Sequence, residues 1–182
     1  MRAISFVAVV AIALGGSAAQ AQDFSQNSSQ GNRTVRLSAD LVPSREVPAV
    51  SSPAAGKFTA EIDTAAGEIT YELTFSGLQA NVTQSHIHFA QPNVNGAIVV
   101  WLCGTATNPG PAGTQTCPQS GTITGTIHGT DIQTVPSQGI ATGEFDELVA
   151  AIRNGLAYAN VHTAQSPGGE IRGQIRDRDA RR

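Results

Sequence analysis

The chain is poor in charge, cysteine and aromatic residues. Aspartate, glutamate, lysine and arginine make up 14% of its 182 residues, and Lys57 is the only lysine. Basic residues gather only between Arg176 and Arg182, where Asp177 and Asp179 dilute them. A formal net charge of −3 with no basic stripe excludes nucleic acid as the natural partner. No Gly-x-Ser-x-Gly elbow, glycine-rich phosphate loop or dinucleotide fingerprint occurs, so serine hydrolase and nucleotide chemistries have no foothold. No apolar stretch is long enough for a comfortable membrane span.

The one marked apolar run, Ile4 to Leu14, follows Arg2 and precedes Ala19-Gln20-Ala21. This order of positive start, apolar middle and small-x-small end predicts a signal peptide over 1–21, cleaved after Ala21. The expected location is therefore periplasmic or secreted. Losing Arg2 takes the mature net charge from −3 to −4. Residues 22–33 are rich in Gln, Ser and Asn and read as a disordered leader. Asn27, Asn32 and Asn81 head Asn-x-Ser/Thr triplets, which chance explains in a chain this rich in Ser and Thr. The remaining residues suit one domain over 34–177 and a charged tail over 178–182.

The two cysteines, Cys103 and Cys117, bracket a loop rich in Gly, Pro and Thr. In an exported protein such a pair reads as a disulfide rather than a metal site. From Val35 onward the texture is one of short alternating stretches. Gly56 to Ile62 and Glu68 to Phe75 flank a turn signal at 63–67, and Thr122 to His128 alternates again. Phe145, Leu148, Val149 and Ile152 recur at helical spacing, with acidic residues before them and Gly155 after. The pattern predicts an all-β, antiparallel Greek-key sandwich or barrel with one short helix over about 144–154.

Within that frame His86-Ile87-His88 reads as part of a strand, and Tyr158 to Thr163 as another. Side chains alternate across a strand, so Ile87 and Val161 should face the core while His86, His88 and His162 turn outward. Three imidazoles suit a transition metal, copper most tightly and zinc as the alternative, and leave a coordination position open. Asn160 and Tyr158 share the face of His162 and are candidates to stand behind the ligands, as is Glu170. Arg172 is the candidate catalytic residue, placed to attract a small anion. The plainer reading of Glu170 and Arg172 is an ion pair pinning the last strand. His128 has no paired motif and reads as an isolated surface histidine.

Several of these residues also carry a resemblance. Glu46-Val47-Pro48, the Gly67–Leu78 hairpin ending in Phe75-Ser76-Gly77-Leu78, and His86-Ile87-His88 are similar to the CHRD domain, the chordin-type module common in exported bacterial proteins. The strongest piece is Tyr158-Ala159-Asn160-Val161-His162-Thr163, followed by Pro167 to Ile175, and the likeness spans about 35–176. A weaker resemblance is to copper–zinc superoxide dismutase, another Greek-key barrel. Its copper ligands include a His-x-His pair and a late Val-His, which His86, His88 and His162 match in order. No counterpart of its bridging histidine or zinc ligands follows His88, so the likeness implies a mononuclear site at most. Two functions stay open on the sequence. One is a copper protein with redox activity toward a small anion such as superoxide. The other is a non-catalytic module that binds an extracellular protein or matrix through a sheet face or the 103–117 loop, its histidines being surface groups that bond locally.

Overall fold

The computed structural model describes residues 34–180; the expected signal peptide, the leader with Asn27 and Asn32, and the last two residues of the tail lie outside them. Among the described residues nine strands and one α-helix follow in order: β1 Val35–Leu41, β2 Ala55–Asp63, β3 Glu68–Ser76, β4 Val82–Phe89, β5 Ala97–Cys103, β6 Gly121–His128, α1 Phe145–Arg153, β7 Ala157–Thr163, β8 Ile171–Gln174 and β9 Arg176–Asp177. They form two antiparallel sheets, β6-β3-β2-β1-β9 and β5-β4-β7-β8. The expected all-β sandwich with one helix is what the chain builds.

The first sheet follows the period-two pattern. In β1 Val35, Leu37, Ala39 and Leu41 are buried, and opposite them Phe58, Ala60 and Ile62 of β2 and Ile69, Tyr71, Leu73 and Phe75 of β3 fill the same layer. The β2–β3 connection is tight because Asp63 accepts backbone N–H bonds from Ala65 and Ala66, and Gly67 takes φ 70°. Leu148, Val149 and Ile152 of α1 join the core, and Gly155, at φ 70°, ends the helical turn.

The second sheet departs from it. Ile87, Ala159, Val161 and Ile171 face the core, yet every residue of β7 is buried, as are His86 and His88 of β4 and Arg172 of β8 on the outward side. The outer face around these residues is covered by chain rather than water. The last strand also does not run straight through 170–176. The chain leaves the second sheet after Gln174, and Arg176–Asp177 pairs with β1 in the first.

Cys103 and Cys117 form the expected disulfide, with Cα atoms 4.9 Å apart. It ties the end of β5 to the far side of a loop whose crown, including Pro111, Ala112 and Gly113, is exposed. Closing a loop of this length restricts the unfolded chain. The Cys103→Ser/Cys117→Ser double variant should therefore lose about 3 kcal/mol of stability by denaturant titration. An unchanged midpoint would show that the loop is held by other contacts.

Candidate metal centre

The register of the second sheet answers what the sequence could not. β4 and β7 are neighbours, with His86 opposite Asn160, His88 opposite Tyr158 and Gln84 opposite His162. His162 is thus the diagonal neighbour of His86 on the same face. On the other side, the β4–β5 ladder shifts register between Ser85 and His86 and again between Ile87 and His88. Such irregularities re-aim side chains, and here they flank both histidines. The three rings gather: centroids of His86 and His88 are 5.4 Å apart, of His86 and His162 4.9 Å, and of His88 and His162 6.1 Å. One potential ligand atom from each lies within 4.8 Å of the others.

The expectation that these side chains point away from the core holds, but they are not surface groups. Relative exposure is 0% for His86, 8% for His88 and 6% for His162. Three connections roof them over. Gly96, after the β4–β5 turn, accepts a bond from His88 Nδ1 at 3.0 Å, and Pro167, in the β7–β8 turn, accepts one from His162 Nδ1 at 2.9 Å. The β1–β2 connection brings Glu46 in from above. Trp101 of β5 packs edge-on to His86 at 4.2 Å.

These contacts set the tautomers. A carbonyl oxygen only accepts, so the proton of His88 and of His162 sits on Nδ1 and each Nε2 carries a bare lone pair. Nε2 of His88 and Nε2 of His86 have no hydrogen-bond partner among the described residues. Burial pushes all three imidazoles below the usual histidine range, His86 to about 2 and His88 to about 4, with neighbouring histidines adding to the effect on both. At neutral pH the cluster is uncharged: His86 Nδ1–H donates to the bare Nε2 of His162 at 3.2 Å, and the lone pairs of His86 Nε2 and His88 Nε2 are left unpaired. Unpaired buried nitrogens cost stability of order 1–3 kcal/mol each, and a cation shared among them removes that cost. The donor set fits a transition metal, and the carbonyl bonds behind His88 and His162 are the usual means of orienting ligand rings.

The remaining candidates are placed as follows. Tyr158 stacks flat on His88, centroids 4.7 Å apart and planes 2° from parallel. The Arg172 guanidinium lies over the other face of that ring, 3.4 Å from its centroid. Arg172 also donates to Val94 O at 2.6 Å and Asn95 Oδ1 at 3.0 Å. Glu170 is fully buried and accepts from Ser52 Oγ, Gln79 N and Thr163 Oγ1. The two do not form the ion pair that their spacing suggested. Arg172 is drawn to the 91–96 turn and Glu170 to the 52 and 79 segments, because strand neighbours two apart in a covered sheet meet different loops. Asn160 places Oδ1 3.0 Å from His162 Nε2. His128 stays half-exposed with Glu68 3.6 Å away, far from the cluster's strands.

Two residues were missed. Glu46, 6% exposed, has a carboxyl raised to about 7 by burial, against a lowering pull from Arg172, and its Oε1 has no hydrogen bond among the described residues. Glu46 belongs to the Glu46-Val47-Pro48 motif, which carries the CHRD likeness and whose Val47–Pro48 bond is cis. Trp101, the chain's one tryptophan, was likewise unremarked.

An antiparallel β-sandwich with a roofed trio of neutral histidines on the outer face of one sheet is the class these observations define. The CHRD domain model matches residues 37–175, and the chain belongs to that family. No curated protein and no solved structure matches it.

The shifted ionisations give a stability prediction for the metal-free protein. Each histidine binds a proton more readily unfolded, near pH 6.5, than folded. Their contribution is complete above about pH 6.5 and is lost as pH falls toward the folded values. Glu46 works the other way: its contribution is complete below about 4.5 and is lost as pH rises through about 7. Three groups oppose one, so stability should fall between pH 6.5 and 4.5. Denaturant midpoints at pH 7.5 and 5.0 check this; equal values would contradict it.

Proposed function

We propose that this CHRD domain acts outside the cytoplasm, where its disulfide persists, as a holder of one transition-metal ion at His86, His88 and His162. The observation carrying this reading is the convergence of three buried, uncharged imidazoles, with Nε2 of His86 and of His88 unpartnered among the described residues and Nε2 of His162 bare of its own proton. Copper is the first candidate by the general order of divalent affinities for imidazole, zinc the second. Bound copper would supply one-electron redox chemistry, and enclosure beneath three connections limits any co-substrate to a small species, superoxide being the candidate.

Within this reading the chain's residues divide the work. The Gly96 and Pro167 carbonyls hold the protons of His88 and His162 away from the ion. Trp101 excludes water beside His86. Tyr158, clamped between Arg172 and His88, fixes the plane of that ring. Arg172 is occupied by Val94, Asn95 and Tyr158, which favours a positioning role over steering an anion. The exposed crown of the 104–116 loop supports a second reading, a non-catalytic module binding an extracellular protein there.

Copper(II) titration of the chain from Gln22, followed by calorimetry, separates the two. One tight equivalent is expected, weakened at least about 100-fold in each of His86→Ala, His88→Ala and His162→Ala. Several weak equivalents indifferent to these substitutions would leave the binding module as the better account. A superoxide dismutation assay on the loaded protein then tests the redox part.

A further inference from the structure

We infer that Asn160 contributes its side-chain oxygen as a fourth donor to the histidine site, giving three nitrogens and one oxygen. The inference rests on reading the trio as a metal site.

The β4–β7 register puts Asn160 directly opposite His86 and two residues before His162 on the same face. Its Oδ1 lies 3.0 Å from His162 Nε2. That nitrogen has no hydrogen to offer, because the ring's proton is on Nδ1, bonded to Pro167 O. An amide oxygen and a bare imidazole nitrogen at this distance turn lone pairs toward each other, which repels unless a cation takes both. His86 Nδ1 lies 3.2 Å from the same nitrogen, and in the metal-free cluster its N–H donates there. Donors about 2.05 Å from one ion stand about 2.9 Å apart at a right angle and about 3.4 Å apart at the tetrahedral angle. The two observed separations fall between these values, so an ion taking the place of the His86 Nδ1 proton would find these donors spaced as edges of one coordination shell.

The amide is oriented from behind. A Cβ at Gly169 would lie 2.5 Å from Glu46 Oε1 and 2.8 Å from Asn160 Nδ2, so the carboxyl oxygen and the amide nitrogen crowd the same spot. Glu46 is buried, and this oxygen makes no hydrogen bond among the described residues, so it is an acceptor left open beside the amide. An acceptor on that side favours the amide N–H turned toward it and Oδ1 turned toward the histidines. Gly169, at φ 124°, leaves the room for this approach. A donor set with a hard oxygen beside three imidazoles suits divalent copper, zinc or nickel better than copper(I), which favours soft ligands.

The test uses copper(II) with the chain from Gln22 and its Asn160→Leu and Asn160→Asp variants, read by calorimetry and electron paramagnetic resonance. Wild type should show a three-nitrogen, one-oxygen signal. Asn160→Leu should weaken binding at least about tenfold and shift the signal. Asn160→Asp, nearly isosteric and anionic, should keep one equivalent and bind more tightly. If wild type binds one histidine-dependent equivalent while both variants keep its affinity and spectrum, this inference is overturned and the metal reading survives. If wild type binds no copper, the metal reading falls and this inference with it.

Discussion

The structure depends on keeping three imidazoles dry on the wrong side of a sheet. In a two-layer sandwich the outer faces normally meet water, and polar residues there are satisfied by it. Here the outer face of β4 and β7 carries His86, His88, Tyr158, Asn160 and His162, all buried. Desolvation holds the rings neutral, and a neutral ring with one nitrogen bonded to a carbonyl has only one direction in which its other lone pair can act. The bonds to Gly96 and Pro167 choose that direction, and for His162 it is inward, toward His86 and Asn160.

Covering that face requires loops held in place without a core of their own, and β8 with its lead-in does much of this. Glu170 fastens the 52 and 79 segments and the Thr163 hydroxyl, while Arg172 fastens the 91–96 turn and caps Tyr158. Asn95 passes the connection on by donating to Val47 O, so the segment carrying Glu46 is tied to the turn that carries Gly96. The Cys103–Cys117 loop reaches the same neighbourhood, since a Cβ at Gly110 would collide with the Trp101 ring that flanks His86. Charged residues in this roof thus act through hydrogen bonds and stacking rather than through exposed ion pairs, whose worth is small.

Much of this was legible because it is local. Alternation gave the strands of the first sheet, helical spacing gave α1, and compartment logic gave the disulfide. His-x-His in a strand placed two rings on one face by period alone. What alternation cannot say is what lies above a face, so the histidines read as outward but not as roofed. Nor could spacing show that β4 and β7 pair, since residues 90–156 lie between them, or that the register shifts beside His86 and His88. The supposed Glu170–Arg172 ion pair failed for the same reason. Two side chains on one face of a strand look like partners until loops arrive with better ones. Glu46 was hidden in a proline-punctuated connection whose path sequence alone does not trace.

The central claim is that the bare nitrogens of the trio share one ion. Crystals of the chain grown with copper(II), with diffraction collected on both sides of the copper absorption edge, test it most directly. The account predicts a single strong anomalous peak within about 2.0–2.2 Å of a nitrogen from each of His86, His88 and His162. Copper scattered over surface sites, with the trio unchanged and no peak between its rings, would contradict it.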